Sequence, residues 1–314
     1  MTTASPALAR VDAIDRTALA AMVMLCASWG FQNVAVKLAL PEMPPIAQVA
    51  IRSIGATLLV GAFALWTRRD LRLNDGTLAP GILCGLIFGL EFILLFVALA
   101  HTDAGRVVMF LYTAPFVVAL GARFLPVPEA LTLDRWAGVA IAFVGLVVLL
   151  APSLSFGGPS LFGDALAFAA GVLWGLTTLV IKGTRLRTAD PAKVLLYQLT
   201  VSAALTAAAS VLAGEAVRVP VLAVTWLSIA YQVVWVTSIT YLIWFWLVSR
   251  YPPARLSVLS FLSPVFGVVF GHLVLGERLT GSLVVALVLV AAGIVLVNRP
   301  TRSARPPRPG RPAP

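Results

Sequence analysis

The sequence predicts an all-α membrane protein of ten transmembrane helices, arranged as a five-plus-five inverted repeat around a central cavity. Of the 314 residues, 60% are hydrophobic and only 11% are charged, whereas soluble domains are nearer half apolar and a quarter charged. Ten apolar runs are each long enough to cross a hydrocarbon core of about 30 Å as a helix. A motif near the start of the chain returns in its second half, which indicates an internal duplication.

The ten predicted spans follow one another with short connections. A helix satisfies its own backbone hydrogen bonds in lipid, and runs of this length cannot be barrel strands, so all ten should be helical. The eighth run is long enough to tilt or to extend beyond the bilayer. The spans are 18–38, 46–66, 80–100, 105–125, 135–152, 161–182, 193–213, 222–248, 255–275 and 281–298.

Polar segments flank the spans at both ends of the chain. Residues 1–17 form a short charged head with no signal-peptide cleavage site, so the first apolar run should be retained as a span. Residues 301–314 alternate Arg with Pro, which is typical of a disordered tail. Lys and Arg are concentrated in the loops that share a side with both termini. This asymmetry predicts a multi-pass protein of the cell inner membrane with both termini cytoplasmic.

The net charge of +10 lies mostly in these loops and in the tail, where it serves topology and contact with anionic lipid. Membrane lipid is therefore the expected partner, and nucleic acid is not. The two cysteines each lie inside an apolar run without metal-ligand spacing. We expect neither a metal site nor a cofactor.

The repeat is anchored by Trp29–Lys37 and its copy Trp174–Lys182, in which Trp, the Gly that follows it and Lys keep the same spacing. The halves are predicted as five-helix repeats at 18–152 and 161–300. Because each has an odd number of spans, the second half lies upside down in the membrane, the arrangement of many secondary transporters. Further collinear matches are Pro45–Arg52 with Pro191–Gln198, Phe96 with Phe245, Pro115 with Pro264, and Glu129 with Glu277.

On these residues the chain resembles the drug/metabolite transporter superfamily, and in particular the EamA family. The Leu-Gly-Glu-Arg-Leu-Thr box at 275–280 adds to the resemblance, and its counterpart at 126–132 is degraded. The resemblance implies a ten-helix basket that exports or takes up small organic metabolites, such as amino acids or amphiphilic compounds, and of the two directions we expect export. It leaves the substrate, the direction, the coupling ion and a homodimeric state open.

Two charged residues are predicted to lie inside spans, where a charge is costly and marks a functional site by default. Glu91 in the third span and Arg52 in the second are at similar depths, so they could pair. In the functional interpretation, Glu91 takes up a proton or contacts a cationic group as the cavity changes sides. In the alternative, Glu91 and Arg52 form a static structural bridge.

Polar and aromatic residues complete the predicted lining of the cavity. Asn33 needs a hydrogen-bond partner within the first span, either on another helix or on the substrate. Trp29 and Trp174 lie mid-span rather than at the interface where Trp is usual, so they form either an aromatic wall for the substrate or ordinary packing. The same two interpretations apply to four further aromatic residues, Tyr112, Tyr231, Trp235 and Tyr241.

Pro115 and Pro264 occupy equivalent positions in the two halves. Each removes a helix hydrogen bond and can kink its span. Such kinks could serve as gating hinges or could give the cavity a fixed shape.

The alternatives to a secondary transporter are a membrane-embedded enzyme acting on lipid and a small-solute channel. An enzyme is not expected, because the only histidines, His101 and His272, lie near span ends and no metalloprotease or nucleophile-elbow motif occurs. A primary pump is excluded for this chain alone, since it has no phosphate-binding loop. A channel would differ from a carrier by conducting without saturation.

Overall fold

The structure is a computed structural model that describes residues 14–101, 107, 110–126, 132–151, 160–215, 219–276 and 282–298. These residues are helical apart from short connections, and no strand occurs among them. The predicted tail at 301–314 and most of the predicted head lie outside the described residues. So do Glu129 and Glu277 of the two boxes.

Among the described residues, five α-helices that can be given bounds lie in the first half of the chain and seven in the second. Between α8 and α9 the chain continues as a π-helix over Tyr231–Thr240. The helices are α1 Arg16–Ala39, α2 Pro45–Trp66, α3 Leu78–His101, α4 Ala114–Gly121, α5 Leu133–Leu150, α6 Ser160–Gly183, α7 Pro191–Leu212, α8 Ala223–Ala230, α9 Tyr241–Arg250, α10 Pro253–Leu259, α11 Leu262–Leu275 and α12 Ser282–Asn298.

Seven helical segments in the described part of the chain are long and apolar enough to cross a membrane, so this is a multi-pass membrane protein. They coincide with seven of the ten predicted spans. The other three predicted spans, 105–125, 135–152 and 281–298, are helical at α4, α5 and α12. Within the described residues, the apolar helices Ala114–Phe124 and Val284–Val297 are shorter than a full span.

Helix ends follow from local chemistry. Asp15 caps α1 by accepting a hydrogen bond from the Ala18 amide, and Asp190 caps α7 in the same way. Pro45 and Pro191 begin α2 and α7, where the missing N–H costs no helix hydrogen bond. At the C-terminal end of α11, Gly276 has φ 69°, a left-handed conformation that glycine adopts without a Cβ penalty.

Two carboxylates tie the halves together at the end of the bundle where α2 begins. Glu215, between α7 and α8, accepts a hydrogen bond of 2.7 Å from the Ala47 amide in the first turn of α2. Glu42, between α1 and α2, accepts hydrogen bonds from the Leu222 amide and the Thr225 hydroxyl at the start of α8. Each half therefore supplies the acidic group that caps a helix of the other half.

A second group of contacts lies at the opposite end of the bundle. The connection from α2 to α3 is held on α7 by Lys193, which contacts the Asp75 carboxylate at 2.6 Å and also the carbonyl of Arg72. The hydroxyls of Thr77 and Tyr197 lie 3.0 Å apart beside them. We call these five residues the α2–α3 clasp, because they fix this loop to the second half.

Close helix crossings occur at small residues. α5 packs along α12, α1 along α11, and α7 along both α2 and α3. A Cβ atom on Gly138 would lie 2.8 Å from the carbonyl oxygen of Gly293, so α5 and α12 approach backbone to backbone. Small residues allow such contacts in lipid, where close packing rather than the hydrophobic effect joins helices.

Candidate functional site

Arg52 and Glu91 are both buried inside the bundle, with exposed fractions of 0% and 5%. Arg52 lies about 10 Å along α2 from its first residue, and Glu91 about 15 Å along α3 from its last residue. These two helix ends face the same side of the bundle, since α2 and α3 are consecutive and antiparallel. Both charged residues therefore lie deep within the helix bundle.

The guanidinium group of Arg52 has an aromatic neighbour but no hydrogen-bond acceptor. Its central carbon lies 4.0 Å from the centroid of the Phe92 ring, which is a cation–π contact. Among the described residues, none of its three nitrogens has a hydrogen-bond partner, and the same is true of Glu91 Oε2. Glu91 and Tyr241 act on Arg52 electrostatically, but no hydrogen bond joins Arg52 to Glu91. Buried charged groups in proteins are nearly always hydrogen-bonded, so Arg52 and Glu91 are the leading candidates for functional residues in this bundle.

A continuous aromatic wall extends from Arg52 across three helices. Phe92 contacts Phe88 with ring centroids 4.9 Å apart, and Phe88 contacts Tyr241 at 5.8 Å. Tyr241 contacts Trp29 of α1 at 6.4 Å. All three pairs meet edge to face, the arrangement that aromatic rings prefer. The structure thus brings the predicted residues Trp29 and Tyr241 together with the two buried charges.

Hydrogen bonds hold the predicted aromatic residues of the second half against α1. Trp29 donates from its indole nitrogen to the Thr240 hydroxyl at 3.0 Å. Tyr231 donates to the backbone carbonyl of Ser28, and Trp235 donates to the Ser28 hydroxyl, both at 2.9 Å. Tyr231 and Trp235 therefore anchor the π-helix to α1 beside the aromatic wall. Trp235 is also 38% exposed.

Tyr112 and Trp174 belong to a different cluster. Their rings contact each other at 5.5 Å, and Tyr112 also contacts Phe261 at 5.8 Å. This group packs with α5 and α12 in a hydrophobic cluster of its own, apart from the cluster that contains Phe88 and Phe92. The predicted aromatic residues therefore divide between two places rather than one.

The remaining predicted residues are Asn33, Pro115 and Pro264. Asn33 is helical, and its side chain lies outside the part of the chain that the structure describes. Pro115 is the second residue of α4, and Pro264 is the third residue of α11. Each proline follows a short break in the helix, so it lies in the first turn of a new helix, where its missing N–H is tolerated.

Sequence reasoning did not select Gln198 of α7 as a functional residue. It is fully buried, donates from Nε2 to Cys84 Sγ at 3.0 Å, and has no hydrogen-bond partner for Oε1 among the described residues. The signal was present in the sequence, because the predicted repeat aligns Pro191–Gln198 with Pro45–Arg52 and so sets Gln198 opposite Arg52. Phe88 and Phe92 carried no such signal, since phenylalanine is ordinary in an apolar span.

Charges buried within a multi-pass helical bundle are features expected of a membrane transporter. The chain matches the EamA-like transporter family over residues 16–151 and again over 161–299. It therefore belongs to this family of the drug/metabolite transporter superfamily.

Relatives and a solved structure are consistent with this membership. A protein of Salmonella typhimurium named as a probable amino-acid metabolite efflux pump is 30% identical over 279 residues, covering 85% of this chain and 90% of the relative. A protein of Escherichia coli with the same name is 30% identical over 282 residues, covering 85% and 90%. A solved crystal structure superposes with a TM-score of 0.78 at 23% identity, covering 90% of this chain and 98% of the other, and shows the fold alone.

Proposed function

We propose that this protein is a secondary transporter that exports small organic metabolites, such as amino acids or amphiphilic compounds, across the cytoplasmic membrane. It works by alternating access, with both termini in the cytoplasm and Glu91 as the proton-coupling residue. The observation that carries the proposal is the buried pair Arg52 and Glu91, which lack hydrogen bonds to each other and adjoin an aromatic wall. Two relatives named as probable amino-acid metabolite efflux pumps agree with this class of solute.

Alternating access by two inverted halves, 18–152 and 161–300, is supported by paired contacts. A Cβ on Gly30 would lie 2.8 Å from the Ser263 carbonyl oxygen, where α1 crosses α11. In the repeat, Gly30 corresponds to Gly175 and Ser263 to Ala114. A Cβ on Gly175 would lie 3.1 Å from the Ala114 carbonyl oxygen. The same contact between the two halves therefore occurs twice, with the roles of the halves exchanged.

The pair α5 and α12 repeats this relation. Gly145 corresponds to Gly293 in the repeat, and Gly138 corresponds to Ala286. The close approach of Gly138 to Gly293 thus has a counterpart between Gly145 and Ala286, where a Cβ on Gly145 would lie 3.1 Å from the Ala286 carbonyl oxygen. Contacts that map onto one another when the halves are exchanged are those expected around a two-fold axis.

The buried charges lie near the proposed axis. Phe92 corresponds to Tyr241 in the repeat, and both adjoin Arg52, one by its ring and the other electrostatically. Arg52 itself corresponds to Gln198, and Glu91 to Thr240. Transporters of this architecture bind their substrate near the midplane between the repeats. Of these corresponding positions, Arg52 and Glu91 of the first half are charged and Gln198 and Thr240 of the second half are neutral, so the proposed site is charged on one side and aromatic around it.

Glu91 supplies a mechanism for coupling. A carboxylate in a low-dielectric interior is costly when charged, so it gains from either a proton or a cationic group of the solute. If proton and solute exclude each other at Glu91, inward movement of the proton drives outward movement of the solute. Arg52 remains charged throughout the cycle. It attracts the Glu91 carboxylate when neither a proton nor the solute is bound there.

The test is counterflow in proteoliposomes with a panel of radiolabelled amino acids and amphiphilic metabolites, with and without a pH gradient. We expect saturable counterflow that a proton gradient accelerates, and loss of the acceleration in Glu91→Gln. Asp134→Asn, the same change in the exposed first turn of α5, should keep full coupling. Flux that does not saturate would indicate a channel, and coupling that survives in Glu91→Gln would remove Glu91 from the mechanism.

A further inference from the structure

The tryptophans of the two Trp-Gly motifs have different surroundings, although the repeat makes them equivalent. On α1, the Trp29 indole donates to the Thr240 hydroxyl at 3.0 Å. On α6, the Trp174 ring contacts Tyr112 at 5.5 Å, and its indole nitrogen donates no hydrogen bond within the described residues. Since the repeat pairs Thr240 with Glu91, a perfectly symmetric bundle would have the Trp174 indole donate to Glu91.

The backbones around the two tryptophans are placed alike, so the difference lies in their side chains. The glycine that follows each tryptophan approaches a backbone carbonyl of the other half in the same way. Tyr112 corresponds to Phe261 in the repeat, and the two rings contact each other at 5.8 Å, as equivalent residues beside a two-fold axis do. Trp174 packs on this central pair, whereas Trp29 packs on the aromatic wall.

An inverted repeat whose halves differ in this way has a second arrangement, in which each half takes up the contacts of the other. Because the halves have opposite orientations, the second arrangement faces the opposite side of the membrane. The two packings are discrete alternatives of one bundle, as in other two-state transitions. In the second arrangement Trp174 makes the contacts that Trp29 makes here.

Glu91 lies within reach of Trp174. Cys84 Sγ lies 4.0 Å from the Thr177 carbonyl oxygen, and a hydrophobic cluster joins the end of α3 to the start of α6, so these helices are antiparallel. Counting 1.5 Å per residue from the Cys84 contact puts Glu91 about 6 Å from Trp174 along the axis. Side chains tilt toward the N-terminus of their helix. On antiparallel helices, Glu91 and Trp174 therefore tilt toward each other.

We propose that Trp174 is a positioning residue for Glu91. In the opposite-facing state its indole N–H donates to the Glu91 carboxylate, as the indole of Trp29 donates to Thr240 here. The inference rests on the proposed transport function and adds a residue to its coupling step. The Trp174 ring moves from Tyr112 to the aromatic wall, and Trp29 moves from the wall to Phe261.

This bond links the charge of Glu91 to the conformation of the bundle. A hydrogen bond to a carboxylate is about twice as strong as one between neutral groups. Ionised Glu91 therefore favours the opposite-facing state more than protonated Glu91 does. The other titratable groups that interact electrostatically with Glu91 in this state are Arg52 of α2, Tyr241 of α9 and Cys84 of α3.

The experiment records indole ¹⁵N–¹H NMR spectra of the full-length protein in lipid nanodiscs. Trp29→Phe and Trp174→Phe assign the two resonances, and each keeps a ring while removing the N–H donor. We expect two resonances for each tryptophan in one population ratio, because a single exchange moves both. Glu91→Gln should shift one Trp174 resonance, since an amide oxygen is a weaker acceptor. Asp134→Asn, in the exposed first turn of α5, is the matched control and should leave both unchanged.

The phenylalanine variants should shift the population ratio in opposite directions. Trp29→Phe removes a hydrogen bond of this state, so Trp174 should report a shift of about two- to tenfold toward the opposite-facing state. Trp174→Phe removes a bond of the opposite-facing state, so Trp29 should report a similar shift the other way. In proteoliposomes, Trp174→Phe should keep saturable counterflow and lose part of its acceleration by a proton gradient, which a merely structural ring would not affect.

Two outcomes would overturn the inference while leaving the transporter intact. One is a Trp174 resonance that responds neither to Glu91→Gln nor to Trp29→Phe. The other is a shift of the ratio in the same direction by both phenylalanine variants. Unmodified protein with saturable, proton-accelerated counterflow remains a transporter in either case. A lack of counterflow with every solute of the panel would instead overturn the proposed function.

Discussion

The indole nitrogen of Trp29 on α1 donates a hydrogen bond to the hydroxyl of Thr240, the last residue of the π-helix, at 3.0 Å. In the proposed repeat Thr240 corresponds to Glu91, and Trp29 corresponds to Trp174. The same position therefore carries a neutral hydroxyl in one half and an acid in the other. The hydrogen bond also fixes the orientation of the Trp29 ring, which is the last ring of the aromatic wall.

Thr240→Val should lower stability by about 1–3 kcal/mol, because it leaves the Trp29 N–H without an acceptor. Thr240 also donates to the carbonyl four residues earlier. Thr57→Val is the control, since Thr57 makes the same type of bond to the Ser53 carbonyl and accepts no hydrogen bond from an indole within the described residues. Chemical denaturation in detergent measures both variants, and equal losses would show that the Trp29 bond contributes nothing.

Gly293→Ala should destabilise the α5–α12 pair by about 1–3 kcal/mol, the usual effect of overpacking. The new Cβ would lie 2.5 Å from the Gly138 carbonyl oxygen and 2.7 Å from the Ala142 amide nitrogen, and backbone atoms cannot move aside cheaply. Gly61→Ala meets only a Leu196 methyl at 3.8 Å and should be neutral or stabilising by about 0.5–1 kcal/mol. Thermal unfolding in detergent compares the two. Similar melting of both variants would contradict the close approach.

Asp75 should make stability depend on pH through the α2–α3 clasp. Hydrogen bonds from the Lys193 ammonium and the Thr77 hydroxyl hold the pKa of Asp75 well below its usual value of 3.8. Because the pKa is depressed in the folded state, the stabilisation is fully present above about pH 4 and is lost as the pH falls through the folded pKa.

Asp75→Asn should therefore melt below the unmodified protein at neutral pH, and the difference should shrink as the pH is lowered beneath 3.8. Melting temperatures across a pH series give the comparison. Asp134→Asn serves as the control. A difference that stays constant down to pH 2 would show that ionisation of Asp75 is not the cause.

The reciprocal caps predict that each acidic residue protects amides of the other half. Removing Glu215 with Glu215→Ala should raise hydrogen exchange in residues 45–50, and Glu42→Ala should raise it in residues 221–226. A helix cap contributes roughly 0.5–2 kcal/mol. Peptide-level hydrogen exchange with mass spectrometry measures both, with Ser249→Ala, at the far end of α9, as the control. Faster exchange confined to the mutated half would contradict the arrangement.

The sequence predicts where the helices lie better than how they end. Bilayer thickness requires long apolar runs, and seven of the ten predicted segments coincide with helices that are long and apolar enough to cross a membrane. The other three contain helices within the described residues. Kinks are expected at Pro115 and Pro264, and the helix is interrupted just before each of them, whereas the π-helix at Tyr231–Thr240 could not be predicted. Its contacts with α1 depend on Ser28, which lies more than 200 residues away from Tyr231 and Trp235 in the chain.

The site was predictable in composition and less so in geometry. Counting residues along a span gives the depth of a charge, and it correctly placed Arg52 and Glu91 deep in the bundle. It does not give the rotation of the helix, so the contact of Arg52 with Phe92 was not foreseen. The same limit explains why Tyr112 and Trp174, predicted alongside Trp29, lie in a separate cluster.

The capping of α2 by Glu215 also has a consequence for the order of synthesis. The Ala47 amide leaves the ribosome 168 residues before its acceptor, a delay of roughly 10 to 30 s at the usual rates of elongation. The start of α2 must wait through this interval without its cap, whereas the start of α8 meets Glu42 as soon as it emerges. The start of α2 therefore reaches its capped state only after Glu215 has emerged, late in translation.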